Sequence, residues 1–592
     1  MTTNFSQVID ILISDFFKRI QALVAAFYSV SVGFVKLVLV TLASQKLTPK
    51  IVTFCLPLLF TLLLTPLTAC QMLPNNPHIA ATPTVSTQLT GAQKFSEKSR
   101  IQGQYLISRI SASKNPSPSK FSGYYPLIDS SDAFASRSIL TEMAQQTIDI
   151  QYYIWHNDAA GQLMLKDLYQ AANRGVKVRL LLDDLNTNPE LDQQLLAFAA
   201  HPNIQVRLIN PKVVRGFTPA NFVVALPRYQ RRMHNKSMTF DRQLSIIGGR
   251  NIGDEYLRKD SIAEFADLDV LLAGKVVNQI NDSFEDYWDS PLSYDIERLV
   301  KPSKNPDRNK SDEPFLGTLT AIAPINSQSH LHKSSQLYRV QNGAIVDKQL
   351  YNKKIQFRWQ PMQFLADDVK KLLNQDDKDS RLVSQLRARI GTPKQQLTIV
   401  SSYFVPTDLG VLQLSKLMEN GVKINIFTNS YESTDVPIVH SGYNVARVPM
   451  LKAGIGLYEL KSSADADFRR KKRSLYRSKY STSLHTKAFA VDDKYTFIGS
   501  YNVDPRSANI NTELGVLIED KALAKSFHNT FDNSMLNVSY RVHLDDNGQL
   551  IWQTHDDKTN KKLITLDKEP HMTFVNGLWL KIFSALPFKR LL

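Results

Sequence analysis

The sequence predicts an α/β protein in which one layered domain occurs twice, and three observations carry that prediction. His234-Asn235-Lys236 followed by Asp241 returns as His485-Thr486-Lys487 followed by Asp492, 251 residues further on (234 to 485). Each motif sits in the same succession of strand, helix, glycine stop and strand, and the two stops, Gly175 and Gly421, lie 246 residues apart (175 to 421). Strand, helix, strand in that order requires parallel pairing through a right-handed crossover, which builds layers. The period is far too long for a solenoid, so one domain has been duplicated.

In the first half Ile148-Asp149-Ile150-Gln151-Tyr152-Tyr153 reads as a strand, and Met164, Leu165, Leu168, Tyr169 and Ala172 follow at helical spacing. Arg174-Gly175 stops that helix, and Val176-Lys177-Val178-Arg179-Leu180-Leu181-Leu182 is the next strand. In the second half Leu397-Thr398-Ile399-Val400 is the strand, Leu409, Leu412, Leu414 and Leu417 mark the helix, Asn420-Gly421 stops it, and Val422 to Phe427 is the return strand. Beyond each motif an apolar run, Leu244 to Ile247 or Tyr495 to Ile498, reads as the return arm of a hairpin, with Asp241 or Asp492 in its turn.

Domain limits follow: a membrane or signal region over 1–74, a tether over 75–126, half 1 over 127–300, a linker and insertion over 301–394, half 2 over 395–540, and a tail over 541–592. Two apolar stretches, 20–44 and 51–69, are separated by Lys46 and Lys50. The first is long enough to cross a bilayer if Lys36 snorkels. The second ends in Leu67-Thr68-Ala69-Cys70, which resembles a bacterial lipobox and makes Cys70 a candidate for lipidation. Nearly 50 residues precede that signal, where a secretory signal has only a short basic region, so either the true start is internal or the region is a membrane hairpin. The tether is rich in Ser, Thr, Pro and Asn and cannot bury enough apolar surface to offset its ordering entropy. The tail carries Leu578, Trp579, Leu580, Ile582, Phe583 and Phe588 beside Lys581, Lys589 and Arg590, a pattern that suits either an interfacial segment or a helix packed on the body.

The 592 residues, 43% hydrophobic, suffice for more than one core. A net charge of +16 suits an anionic partner such as phospholipid headgroups, although a generally basic surface serves solubility as well. The basic run Arg469-Arg470-Lys471-Lys472-Arg473 just before the second motif reads as a solvated loop or as a headgroup-attracting patch. With only Cys55 and Cys70 present, the body has neither a disulfide nor thiolate chemistry.

A histidine and a lysine two apart on a strand share a face. Two such halves facing one another supply two imidazoles and two ammonium groups, which suits phosphodiester chemistry through a phosphohistidine. One neutral imidazole attacks phosphorus and the other, protonated, gives its proton to the leaving oxygen. The surroundings of the two must then differ. Lys236, Lys487, Asn251 and Asn502 are candidates to hold the phosphate oxygens, with Gly249 and Ser500 allowing close backbone approach. Asp267 and Glu513, which align in the repeat, are candidates to orient an imidazole. Asp241 and Asp492 serve either the chemistry or the turn. There is no H-E-x-x-H and no Cys/His ligand cluster, so neither metal nor cofactor is expected.

The paired H-x-K-x-x-x-x-D motifs with trailing Gly or Ser and Asn resemble the phospholipase D superfamily. Gln151-Tyr152-Tyr153-Ile154-Trp155, Gly248-Gly249-Arg250-Asn251-Ile252-Gly253-Asp254, Ser401-Ser402-Tyr403-Phe404-Val405-Pro406-Thr407 and Asp504-Pro505-Arg506-Ser507 narrow the resemblance to the bacterial cardiolipin synthases. It implies two α/β/α sandwich halves with mixed sheets, a pseudo-twofold axis and one active site at their interface. It also implies phosphatidyl transfer from phosphatidylethanolamine to phosphatidylglycerol, with His234 as nucleophile and His485 as acid. Water as the acceptor, which would make a phospholipase D-type hydrolase, is the alternative, and a nuclease a weaker one. Membrane phospholipids are the expected partners and nucleic acid is not. An accessory protein, the oligomeric state and the membrane face stay open, with the bacterial membrane as the expected location.

Overall fold

The computed structural model describes residues 104–215, 221, 226–258, 265–303, 315–320, 328–462, 482–531, 533–556, 562–573 and 577, with 73 and 76. The two N-terminal apolar stretches, Cys70, nearly all of the tether up to 103, the basic run 469–473 and residues 578–592 lie outside these. The chain divides at 73/74 into two compact units, and the account below concerns the second. Among the described residues no helix is long and apolar enough to cross a membrane.

The first half supplies β1 (Ser122–Leu127), β2 (Thr147–Tyr152), β3 (Lys177–Asp183), β4 (Ile204–Ile209), β5 (Ser237–Phe240), β6 (Leu244–Gly248), β7 (Phe265–Ala266), β8 (Asp269–Gly274), β9 (Ser293–Asp295) and β10 (Arg358–Gln360). The second supplies β11 (Met362–Ala366), β12 (Gln396–Ser401), β13 (Lys423–Asn429), β14 (Gly456–Leu460), β15 (Ser483–Leu484), β16 (Lys487–Val491), β17 (Tyr495–Gly499), β18 (Leu514–Glu519), β19 (Ser539–Leu544), β20 (Leu550–His555) and β21 (Leu563–Leu566). One sheet runs β10-β1-β8-β6-β5-β2-β3-β4-β9 and the other β11-β18-β17-β16-β12-β13-β14-β19-β20-β21. Strip the outermost additions and the two orders are the same. In each, three central strands are parallel and the hairpin strands antiparallel, so both sheets are mixed.

The crossovers form where the sequence marks them. Asp158 accepts from Gly161 N to cap helix Ala159–Asn173, and Thr407 caps helix Asp408–Glu419 in the same way through Gly410 N. Gly175 (φ 95°) and Gly421 (φ 82°) end them in the left-handed region that a side chain disfavours. The two helices differ in cover. Helix Ala159–Asn173 is packed under helices Ser130–Met143 and Gln328–Gln341. Helix Asp408–Glu419 has no buried residue, and Leu409 and Leu412 stand 62% and 51% exposed.

Residues 301–394 do more than link. Consecutive strands β10 and β11 extend the first and the second sheet, so this stretch straps the halves together through Pro361. The tail adds β20 and β21 to the second sheet. Between the sheets, Tyr124, Ile247, Val270 and Leu272 pack with Ala488, Ile498, Val516 and Ile518 in one shared apolar core. The fold is therefore α/β with two duplicated halves that share a core.

Candidate active site

Each histidine is aimed by the half that does not contain it. Met233 bridges in parallel to Thr512, and His234 N donates to Thr512 O at 3.0 Å. In the mirror arrangement β15 pairs with β7, and His485 N donates to Ala266 O at 2.8 Å. The residues that follow Thr512 and Ala266 are the aligned carboxylates. Glu513 Oε2 lies 2.8 Å from His234 Nδ1, and Asp267 Oδ2 lies 2.6 Å from His485 Nδ1. Both histidines therefore have Nδ1 committed to a carboxylate, which leaves Nε2 for chemistry.

Strand ends fix the approach to each motif. Asp183 at the end of β3 accepts from Met233 N at 2.8 Å, and Asn429 at the end of β13 accepts from Leu484 N at 2.9 Å. Asp183 is balanced by the buried Arg232, whereas Asn429 needs no counter-ion. Asp367, in the strap, holds Glu513 from both sides: Asp367 N donates to Glu513 O and Glu513 N donates to Asp367 Oδ2, each at 2.9 Å. Lys371 pairs with Asp367 at 2.8 Å. Neither strand-end residue nor Asp367 was singled out in the sequence; the repeat offset, which matches 183 with 429, was the available signal.

The lysines are buried and point back at their own motifs. Lys236 Nζ donates to His234 O at 2.8 Å and faces the Tyr153 ring at 5.3 Å. Lys487 Nζ donates to His485 O and to Ser402 Oγ, the latter at 2.9 Å. Tyr153 contacts His234 edge-on at 4.9 Å between centroids, while His485 packs against both Tyr256 (5.1 Å) and Phe265 (5.2 Å).

Gly249 and Ser500 each lie against a carboxylate that faces a histidine. A Cβ at Gly249 would lie 2.1 Å from Asp267 Oδ1, so the missing side chain is room for that carboxylate. Ser500 donates its hydroxyl to Glu513 Oε2. Both positions thus support the carboxylates that aim the imidazoles. Asn251 Oδ1 accepts from Ile154 N at 3.2 Å and Asn502 Oδ1 accepts from Ser402 Oγ at 2.8 Å. With the oxygens so engaged, the amide N–H groups are what each asparagine can offer an anion.

Asp241 and Asp492 are not brought to the histidines. Asp241 lies at the far end of β5, about 20 Å along an extended chain from His234. Its carboxylate accepts from the N–H groups of Gln145, Gln146 and Thr147. Asp492 accepts from Lys394, Gln395 and Gln396 in the same way. Each ties a hairpin turn to the entry of its central parallel strand. Asp241 also takes φ 49° and Asp492 φ 50°, which an aspartate in a tight turn tolerates.

Burial sets the protonation of the site. Both imidazoles are held well below the usual histidine range, first by desolvation and then by the lysines, which favours their neutral forms. The expected contrast between the two histidines is therefore not in the direction of their shifts. It lies in their partners: Glu513 with Ser500, Tyr153 and Arg506 around His234; Asp267 with Gly249, Tyr256 and Arg250 around His485. Burial also pushes Glu513 up to about 7 and raises Asp267. It lowers Lys236 to about 7 and Lys487 to about 8.

Outside the histidine pair, His156, Asp158 and Glu255 bring ligand atoms within 4.8 Å of one another, a grouping not evident from sequence spacing. Asp158 spends both oxygens on Gly161 N and Asp254 N.

The family model "Cardiolipin synthase, PLD-like domain" matches residues 139–288 and 386–535, once in each half. The chain is 37% identical over 470 residues to cardiolipin synthase C of Escherichia coli, covering 79% of this chain and 96% of that one. It is 23% identical to cardiolipin synthase B of the same species, over 64% of this chain and 72% of the relative. Among solved structures, phosphatidylserine synthase of Haemophilus influenzae superposes with a TM-score of 0.47 at 16% identity, covering 84% of this chain and all of that one. The chain belongs to the cardiolipin synthases of the phospholipase D superfamily, enzymes of phospholipid synthesis that transfer a phosphatidyl group.

Proposed function

We propose that this enzyme makes cardiolipin by moving the phosphatidyl group of phosphatidylethanolamine onto phosphatidylglycerol through a phosphohistidine at His234. The observation that carries the reading is the pair of imidazoles, each oriented at Nδ1 by a carboxylate of the other half and flanked by a buried lysine. In the first step His234 Nε2 attacks phosphorus and the bond to the ethanolamine oxygen breaks. His485 Nε2–H gives that oxygen its proton, and ethanolamine leaves. In the second, neutral His485 takes the proton of a phosphatidylglycerol hydroxyl, whose oxygen displaces His234 and releases cardiolipin.

An anionic phosphodiester adds negative charge beside the two lysines, so one imidazole can carry a proton once the lipid is bound. Lys236, Lys487, Asn251 and Asn502 are proposed to hold the non-bridging oxygens. The N-terminal apolar stretches, with Cys70, are proposed to keep the body at the membrane where both lipids reside.

Detergent-solubilised protein incubated with labelled phosphatidylethanolamine and phosphatidylglycerol should yield labelled cardiolipin. Phosphatidic acid alone would overturn transfer in favour of hydrolysis. Palmitate labelling that is unchanged in Cys70→Ala would overturn the lipid anchor.

A further inference from the structure

The two halves carry acid differently at the loops that follow their second parallel strand. In the first half Asp183 is neutralised by Arg232, and Asp184 is gripped by Arg215 through both carboxylate oxygens. In the second half the strand ends in neutral Asn429, and the loop carries two carboxylates: Glu432, which accepts from Ser462 N and the Tyr540 hydroxyl, and Asp435. One oxygen of Asp435 accepts from the Tyr403 hydroxyl at 2.8 Å. Among the described residues Asp435 makes no ion pair and no other hydrogen bond, and it is half-buried.

Asp435 nevertheless belongs to the neighbourhood of His485. Tyr403, its hydrogen-bond donor, follows Ser402, whose Oγ accepts from Lys487 Nζ at 2.9 Å, and the charge of Asp435 bears on Lys487 and on the hydroxyl of Tyr256, whose ring contacts His485 at 5.1 Å. Tyr403 in turn lies within electrostatic reach of Tyr256 and Tyr153. A carboxylate that makes no ion pair among the described residues, set beside tyrosines drawn from both halves, is a poor neighbour for a phosphate but a good one for an ammonium group, which combines ion pairing with attraction to ring faces.

We propose that Asp435, with Tyr403 and Tyr256, is a subsite for the primary ammonium of an aminophospholipid headgroup. This rests on the reading of phosphatidylethanolamine as donor and deepens it. The headgroup would lie on the His485 side, where the leaving oxygen receives its proton, and its ammonium would take the remaining acceptor capacity of Asp435. Ethanolamine then departs with its ammonium unchanged and its oxygen protonated, so the subsite takes no part in the bond changes.

The test compares wild type with Asp435→Asn and Asp435→Glu in mixed micelles, varying each lipid in turn. Asp435→Asn should raise KM for phosphatidylethanolamine about tenfold or more, the loss of one charge-assisted contact, without moving KM for phosphatidylglycerol. Asp435→Glu should recover part of the donor KM. An equal change in both KM values, or an unmoved donor KM, overturns the subsite while leaving the donor intact. A wild type that forms cardiolipin equally well without phosphatidylethanolamine overturns the donor reading, and the subsite with it. Should Asp435→Asn not fold, free ethanolamine should compete with the donor in the wild type better than uncharged ethylene glycol. Equal inhibition by the two overturns the subsite.

Discussion

Glu513 of the second half lies 2.8 Å from His234 Nδ1 of the first, and the backbone beside it, Thr512 O, accepts from His234 N at 3.0 Å. The carboxylate and the histidine are therefore held together twice, by side chain and by main chain. Glu513→Gln keeps the shape but removes the negative charge and replaces one carboxylate oxygen by an NH2 donor, so the tautomer of His234 is no longer fixed. Its kcat should fall about 100-fold or more with donor KM little changed, measured by steady-state kinetics. A wild-type kcat would deny Glu513 an orienting role.

The two histidines should fail differently. With His485→Asn, the proposed nucleophile remains but its proton partner is gone, so labelled phosphatidylethanolamine should leave slowly turning over label on the protein. His234→Asn should acquire none. Label on the His234 variant and not on the His485 variant would exchange the two roles.

Asp241 should matter for stability and not for turnover. Asp241→Ala strands three N–H groups at the entry of β2, at a cost of about 1–3 kcal/mol. Thermal unfolding should register that loss, while kcat per folded molecule stays within a few-fold of wild type. A collapse of kcat at full folding would return Asp241 to the chemistry.

Lys236 and Lys487 tie activity and stability to pH in opposite senses. Their buried ammonium groups give up protons near 7 and 8, against 10.5 for an ordinary lysine. Between those values the unfolded chain binds more protons than the folded one, so this contribution to stability rises with pH. Over the same interval the site loses the charges that hold phosphate, so kcat/KM should fall from about pH 7 upward. Denaturant melts and kinetics across pH 6.5–9.5 check both slopes, and a parallel rise of both would contradict the assignment.

Asp183 and Asn429 occupy the same place in the repeat but carry different charge. Asp183→Asn leaves Arg232 buried without its partner and should destabilise the fold by about 3–5 kcal/mol, read from urea midpoints. A negligible shift would mean that Arg232 finds another acceptor.

The repeat was legible because its chemistry is written in short contiguous strings. Helix stops at Gly175 and Gly421, hairpins around Asp241 and Asp492, and the alignment of Asp267 with Glu513 all follow from local pattern. What pattern did not reveal was the exchange of partners. Nothing near His234 in the chain indicates that its carboxylate comes from 279 residues away, because the pairing is decided by how two whole sheets meet. Asp241 was ambiguous for the same reason: the N–H groups it serves lie 94–96 residues earlier. Gly249 looked like an approach for phosphate, since a small residue does not announce whether its space is for a ligand or for Asp267.

The exchanged backbone contacts, β15 with β7 and Met233 with Thr512, also limit how this enzyme can open. Any hinge motion that parts the halves must break the hydrogen bonds that aim both imidazoles. A lipid with two acyl chains therefore cannot be admitted like a ligand between closing jaws. The substrate must instead reach the imidazoles with the halves still joined.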